Sequence, residues 1–206
     1  SGKTTTAAAL IEELNRTKAL NIITIEDPIE YLFVSKTSLV TQRQLGADVN
    51  TLAEALDYCL SEDLDVVYIN EIKDDLAFKP ALPKIFELAS GNCLIILEIN
   101  ADSSIRVLEK ILAGLALSLP PEAARYNLAD ILIGVLTQKL VRRRGGGLIL
   151  ANEILLNNAA VKSLIREGKI YQIESVIQTS RKEGMISLDR SLNNLIEAGE
   201  VRREDI

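Results

Sequence analysis

Short apolar runs alternate with helical patterns over the first hundred residues of the chain. β-Branched and aliphatic runs predict buried strands at residues 21–25, 65–70 and 93–99. Apolar residues at helical spacing predict helices at residues 7–15, 51–60 and 77–89, the last with an irregular start because of Pro80 and Pro83. Since strands that alternate with helices form mostly parallel sheets, we predict an α/β fold with a sheet covered on both faces.

The second half of the sequence predicts helices and one hairpin. Helices are expected at residues 107–117 and 122–136, with two prolines between them. A hairpin is expected from residues 139–142 and 148–154, which flank three glycines. All patterns after residue 157 are helical, with stops expected at Gly168, Gly184 and Gly199. We therefore predict a core over residues 1–156 and a helical region over residues 157–206.

Composition excludes several kinds of function. The formal net charge of −6 argues against a broad nucleic-acid surface, which needs clustered cationic residues. The sequence contains no histidine, which removes Ser-His triads, histidine-ligated zinc and histidine general bases. No apolar run reaches the ~18 residues of a membrane-spanning helix. Cys59 and Cys93 lie far apart and are expected to be reduced core thiols of a cytosolic protein.

The N-terminal residues carry the second half of a phosphate-loop pattern. Gly2-Lys3-Thr4 stands directly before an alanine-rich helix, as in G-x-x-x-x-G-K-[ST]. Backbone N–H groups and the dipole at a helix start favour phosphate, so Lys3 is expected at the β- and γ-phosphates and the Thr4 hydroxyl at Mg²⁺. Ser1 and Thr5 complete the predicted nucleotide-binding set. The alternative is an ordinary exposed N-terminus.

Acidic residues follow two of the predicted strands. Glu26, Asp27 and Glu30 come directly after the first strand, where ligands bind in open α/β sheets. Glu71 follows the strand at residues 65–70, which is the place of the acid that lies beside Mg²⁺ or aligns the attacking water. The alternatives are a solvated acidic turn and a strand that merely ends in glutamate.

Several longer segments together resemble one family. Residues 24–31 (TIEDPIEY) are similar to the acidic box of the secretion and pilus ATPase superfamily, and residues 40–56 resemble the stretch after it. Residues 61–74 look like that superfamily's Walker B region. Residues 159–199 are similar to the helical C-terminal part of the pilus-retraction, or twitching-motility, branch. The resemblance runs in collinear order over essentially the whole chain.

This resemblance implies a RecA-like P-loop NTPase core followed by a small C-terminal helical part. It also implies an ATP-binding and ATP-hydrolysing motor subunit that uses ATP and Mg²⁺. By motif, Lys3, Thr4, Glu26 and Glu71 carry over as nucleotide, Mg²⁺ and water-handling residues, with Glu26 and Glu71 as the catalytic pair. The implied assembly is a cytoplasmic homo-hexamer that docks peripherally on an inner-membrane pilus platform protein and uses no nucleic acid.

Departures from the family pattern fall at functional positions. Both expected histidines are absent, with Asn92 and Ile99 in their places. Asn70 replaces a glycine before Glu71, and Lys73 replaces an arginine and so loses the bidentate fork. Removal of one positioned polar donor typically costs about 10²–10³ in rate. The alternative function is therefore a degenerate, non-hydrolysing ring subunit that scaffolds or regulates pilus assembly. A third hypothesis, a DNA-translocating motor, has the least support from the sequence.

The start of the chain predicts a truncation. The only methionine is Met185, and the strand and first glycine that precede Gly2-Lys3-Thr4 in the family are not in the sequence. We therefore expect an internal piece that begins within its phosphate loop and that binds ATP weakly or not at all when made alone.

Overall fold

A computed structural model of the chain describes residues 2–72 and 75–205. Ser1 and Lys73, both named above, lie outside the described residues. No helix in the described part of the chain combines the length and the apolar character that crossing a bilayer requires.

A four-stranded parallel sheet forms the first half of the chain. Its strands are β1 (Asn21–Glu26), β2 (Leu39–Gln44), β3 (Val66–Ile69) and β4 (Leu94–Leu97). Their spatial order is β2-β1-β3-β4, and all three neighbouring pairs are parallel. The predicted parallel sheet is confirmed, and its first, third and fourth strands lie where the apolar runs placed them. Strand β2 was not predicted, because four of its six residues are polar.

Three helices accompany this sheet: α1 (Lys3–Thr17), α2 (Leu52–Ser61) and α3 (Asp75–Ser90). Helix α1 packs its apolar side on the sheet, since Ala7 and Ile11 share a core cluster with Ile22, Val66 and Tyr68. Helix α2 begins at the Thr51 cap, whose side chain accepts a hydrogen bond from the Glu54 backbone N–H. Helix α3 begins at Asp75 and runs through both prolines.

The described residues of the rest of the chain form five α-helices, short 3-10 turns and one antiparallel hairpin. The α-helices are α4 (Ser104–Leu115), α5 (Pro121–Ile131), α6 (Ala159–Glu167), α7 (Ile173–Thr179) and α8 (Leu188–Glu197), and the hairpin strands are β5 (Gly134–Arg142) and β6 (Leu148–Leu156). The inner face of the hairpin packs on α8 through Val141, Ala151 and Leu192. Gly168 ends α6 in the left-handed conformation with φ of 73°, as predicted for a helix stop.

The predicted helix over residues 122–136 was wrong at its end. Helix α5 stops at Ile131, and Gly134 already pairs with Leu156 across the hairpin. The Asn157 side chain donates hydrogen bonds to the carbonyls of Ala129 (2.9 Å) and Leu132 (2.7 Å), which satisfies acceptors that the helix leaves open. The helix therefore ends at carbonyls that the side chain of Asn157, the residue directly after β6, takes up.

The chain divides into two compact units. The sheet unit contains residues 3–100 and 113–119, and the hairpin unit contains Gly2 with residues 101–112 and 120–205. The boundary predicted near residue 157 falls within the hairpin unit, just after β6. The division into residues 1–156 and 157–206 stays a prediction.

Candidate functional site

The start of helix α1 has the features of an anion site. Gly2 has φ of 89°, a left-handed conformation that glycine adopts without a steric penalty. The helix begins at the next residue, Lys3, and its first turn contains no acidic residue. The first backbone N–H groups of a helix have no partner within the helix, and its dipole adds positive potential there. This helix start can therefore bind a phosphate group.

Lys3 forms an ion pair with the acid that follows β3. Its Nζ lies 3.0 Å from Glu71 Oε2, and the two side chains are 27% and 30% exposed. A partly exposed pair of this kind is weak because water screens it. A phosphate group can therefore compete with Glu71 for the Lys3 ammonium.

Thr4 contacts a second acid, which follows β4. The Thr4 hydroxyl donates to Glu98 Oε2 over a long 3.4 Å, and the buried Tyr68 hydroxyl donates to Glu98 Oε1 at 2.7 Å. Burial raises the pKa of the Glu98 carboxyl, while the bond from Tyr68 opposes that rise. Burial also raises the pKa of Tyr68, and the neighbouring Glu98 raises it further. Tyr68 therefore remains a phenol that donates to the carboxyl.

Glu26 is buried at the end of β1. It is 1% exposed, and its Oε1 accepts hydrogen bonds from Thr24 (2.6 Å) and Gln42 (3.1 Å). Thr24 pairs with Tyr68 in the sheet register, and Tyr68 pairs with Ile96. Side chains two residues apart share a face of a sheet, so Glu26, Tyr68 and Glu98 lie on the same face. This is the face on which α1 packs.

The acidic loop after β1 is braced from the neighbouring strands. The Asp27–Pro28 peptide bond is cis. The Asn70 side chain accepts from the Asp27 backbone N–H at 3.0 Å and donates to the Pro28 carbonyl at 3.3 Å. Asn70 stands where the resemblance implies a glycine, and in this chain its amide connects the acidic loop to the end of β3.

Two glutamines of β2 hold the same loop. Gln44 accepts from the Ile29 backbone N–H at 3.2 Å, and Gln42 accepts from the Phe33 N–H at 2.8 Å while donating to the Tyr31 carbonyl. The Thr5 hydroxyl lies 3.2 Å from the hydroxyl of Tyr31. These two glutamines thus fix the loop that follows Glu26 and carries Asp27 and Glu30.

The structure brings together part of the predicted set. Lys3 contacts Glu71 directly, and Glu26 lies on the same sheet edge with its own hydrogen-bond partners. Thr4 contacts Glu98, which sequence reasoning missed. Glu98 has the same signal as Glu71, since both acids follow apolar strands, but its segment was interpreted only as a motif that had lost its histidines.

The two positions that replace the histidines lie at opposite ends of β4. Asn92 precedes the strand and has φ of 70°, a left-handed conformation that asparagine tolerates. Ile99 follows Glu98 at the carboxyl end of the strand. Of these two positions, only Ile99 therefore lies at the edge of the sheet that carries Glu26, Glu71 and Glu98.

The donor set fits a magnesium nucleotide. It offers one ammonium, two threonine hydroxyls at a helix start and carboxylates at the strand ends. Among residues 2–72 and 75–205, no group of three or more acids, cysteines or histidines is placed to hold a metal alone. Mg²⁺ commonly takes one or two protein ligands and completes its shell with phosphates and water, so this set is adequate.

Curated proteins with similar sequences come from pilus systems. The chain is 37% identical over 205 residues to the twitching motility protein of Neisseria gonorrhoeae, covering 99% of this chain and 54% of that protein. It is 36% identical over 208 residues to the type IV pilus retraction ATPase PilT of Pseudomonas aeruginosa, covering 100% of this chain and 58% of that protein. The chain thus spans a little over half the length of these curated relatives.

Solved structures share the fold. A crystal structure of the pilus retraction motor PilT with bound ADP matches with a TM-score of 0.76 and 36% identity, covering 94% of this chain and 57% of that one. The ATPase DotB of Yersinia pseudotuberculosis matches with a TM-score of 0.83 at 21% identity, covering 99% and 53%, which supports the fold alone. The predicted α/β, RecA-like class is confirmed. Because residues 1–147 also match the family described as type II/IV secretion system protein, the chain belongs to that family.

Proposed function

We propose that the chain is the nucleotide-binding part of an ATP-hydrolysing motor subunit of a type IV pilus retraction system or a related secretion system. The observation that carries this proposal is the set of contacts at one edge of the sheet. Lys3 and Thr4 begin α1, and they contact carboxylates that follow β3 and β4. The printed names of the relatives, a twitching motility protein and a pilus retraction ATPase, support the same function.

Each residue has a role in this proposal. Gly2 and the first N–H groups of α1 bind phosphate, Lys3 binds the β- and γ-phosphates, and Ser1 and Thr5 belong to the nucleotide-binding set by motif. Thr4 and Glu26 are the residues that would hold Mg²⁺, and bound Mg²⁺ would neutralise charge on the phosphates. Glu71, once released by Lys3, orients the attacking water and accepts its proton. Lys3 thus exchanges the Glu71 carboxylate for phosphate, which makes the acid available.

The setting that we propose is the one that the resemblance in the sequence implies. The chain would act in the cytoplasm as one subunit of a homo-hexamer that docks on an inner-membrane pilus platform protein. The formal net charge of −6 gives no support to a nucleic-acid partner. ATP and Mg²⁺ are the proposed ligands.

A second function, a non-hydrolysing ring subunit, has one specific observation in its favour. Asn70 stands directly before Glu71 and is engaged with the acidic loop through both of its amide atoms. The backbone before the catalytic acid is therefore tied to that loop in this chain, where the family has a small glycine. A subunit whose Glu71 is restrained in this way would bind nucleotide without hydrolysing it.

An ATPase assay separates the two functions. The full-length protein that carries this chain is compared with its Glu71→Gln variant and with Glu87→Gln, which removes an exposed acid of α3 as a matched control. Loss of a general base costs about 10²–10⁴ in rate, so Glu71→Gln should fall by that factor while Glu87→Gln matches wild type. Background turnover by wild type and Glu71→Gln alike, with nucleotide still bound, would reject hydrolysis and favour the second function.

A further inference from the structure

Glu98 occupies a position that the predicted site leaves unassigned. It is 7% exposed and follows β4. It accepts a hydrogen bond from the hydroxyl of Thr4, 94 residues earlier in the sequence. Its two oxygens have different partners: Oε1 accepts from Tyr68 at 2.7 Å and Oε2 accepts from Thr4 at 3.4 Å. The carboxyl group therefore joins the sheet core to the predicted magnesium ligand.

We propose that Glu98 is a positioning residue for magnesium: its carboxylate accepts a hydrogen bond from the Thr4 hydroxyl and so directs a lone pair of the Thr4 oxygen towards the metal. This inference rests on the proposed nucleotide function. A threonine hydroxyl has one proton and two lone pairs, so it can donate to Glu98 and bind a cation through the same oxygen. Partners of this kind behind a metal ligand fix its orientation and raise its affinity.

The support behind Glu98 is rigid enough for this role. Tyr68 is 2% exposed and packs in the core cluster with Ala7 and Ile11 of α1. Its hydroxyl fixes one carboxyl oxygen, which leaves the other facing Thr4. The Glu98 backbone N–H also donates to the Ile69 carbonyl at 3.0 Å, so the residue is tied to β3 through its main chain. The direction of Oε2 is thus set by the sheet.

The position of Glu98 also separates it from Glu71. Glu71 is the partner of Lys3, the phosphate-binding cation, whereas Glu98 is the partner of Thr4, the metal ligand. The two acids therefore act on different parts of a bound magnesium nucleotide. Lys3 also interacts with the Glu98 carboxyl through its charge. Removing Glu98 should therefore weaken metal binding without weakening the binding of metal-free nucleotide.

The test measures binding of a fluorescent ADP to the full-length protein as a function of Mg²⁺ concentration. Wild type is compared with Glu98→Gln, Thr4→Val, the double variant, and the exposed control Glu87→Gln. Loss of a partner behind a metal ligand typically lowers metal affinity 10–100-fold, so Glu98→Gln should raise the half-saturating Mg²⁺ concentration by about that factor. The double variant should be no worse than Thr4→Val, because Glu98 acts through the Thr4 hydroxyl.

Each outcome decides the inference. An unchanged Mg²⁺ dependence in Glu98→Gln, or full additivity with Thr4→Val, would overturn it while leaving the nucleotide function in place. A wild-type protein that binds no nucleotide at any Mg²⁺ concentration would overturn both. If circular dichroism shows that Glu98→Gln does not fold, Glu98→Asp takes its place. This variant keeps the charge but moves the carboxylate away from Thr4, so it should still raise the half-saturating Mg²⁺ concentration.

Discussion

Replacing Tyr68 by phenylalanine removes one hydroxyl from the interior of the sheet unit and leaves all the ring carbons in place. Tyr68 is 2% exposed and its partner Glu98 is 7% exposed, so water cannot easily replace the lost donor. A hydrogen bond to a charged group contributes about 1.5–3 kcal/mol, and we expect Tyr68→Phe to destabilise the chain by about that amount. For a chain of this size that loss corresponds to roughly 3–12 °C in Tm.

Urea unfolding of the 206-residue chain, followed by far-ultraviolet circular dichroism, measures this loss. Tyr58→Phe is the matched control: Tyr58 is 42% exposed, and a phenylalanine keeps the ring over which Arg43 lies at 5.7 Å. Its change should stay within about 0.5 kcal/mol, as for most surface substitutions. Equal stability of Tyr68→Phe and wild type would refute the reasoning, because Glu98 would then not depend on this donor.

Three further predictions concern the rest of the fold. Ile11→Ala leaves a cavity on the buried side of α1, and it should lower the free energy of unfolding in urea by about 2–5 kcal/mol. The control Leu10→Ala changes a half-exposed neighbour and should cost far less. Equal costs would contradict the packing of α1. Gly134→Ala places a Cβ 2.7 Å from the Leu155 carbonyl oxygen, a backbone atom that cannot rotate away, and should lower the free energy of unfolding by about 1–3 kcal/mol. Gly145→Ala is the control, because a Cβ there meets no atom within 4 Å. An unchanged stability of Gly134→Ala would contradict the hairpin register. Burial raises the pKa of Cys59 to about 12 and that of Cys93 to about 11. Labelling by a thiol reagent at pH 8 should therefore be slower than in urea by on the order of 10²-fold for Cys93 and 10³-fold for Cys59, and it should accelerate as the pH rises. Rapid labelling of the native chain would contradict their burial.

Periodicity predicted the buried strands because each is apolar on both faces. β1 and β3 are covered on both sides, so their sequences are nearly continuous apolar runs that turn signals bound. β2 has the sequence Leu-Val-Thr-Gln-Arg-Gln and shows no such run. Two of these polar residues, Gln42 and Gln44, form the hydrogen bonds that hold the acidic loop. The residues that position the site therefore also remove the apolar pattern by which a strand is predicted.

The boundary between α5 and β5 could not be read from local sequence. The residues from Ile131 to Leu136 are mostly apolar, and a short apolar run fits a helix or a strand equally well. The choice is made by Asn157, more than twenty residues later, which takes up the carbonyls at the end of the helix. A contact between distant residues therefore decides a local structure.

The candidate site divides in the same way. Lys3, Thr4, Glu26 and Glu71 belong to short motifs whose chemistry is recognisable in one segment. Glu98 becomes a site residue only because the sheet places the end of β4 beside the start of α1, which pairs Glu98 with Thr4. Asn70 counted as a departure from the family pattern, and only its contacts with Asp27 and Pro28 reveal what its amide does.

The most direct test of the nucleotide site is equilibrium binding of a fluorescent ADP to the full-length protein and to its Lys3→Ala variant. Lys18→Ala, which removes an exposed cation just past the end of α1, is the matched control. Because a hydrogen bond between charged groups contributes about 1.5–3 kcal/mol, Lys3→Ala should weaken binding by about tenfold or more, while Lys18→Ala should bind like wild type. Equal affinity of Lys3→Ala and wild type would contradict the account, since the cation at the start of α1 would then have no part in holding phosphate.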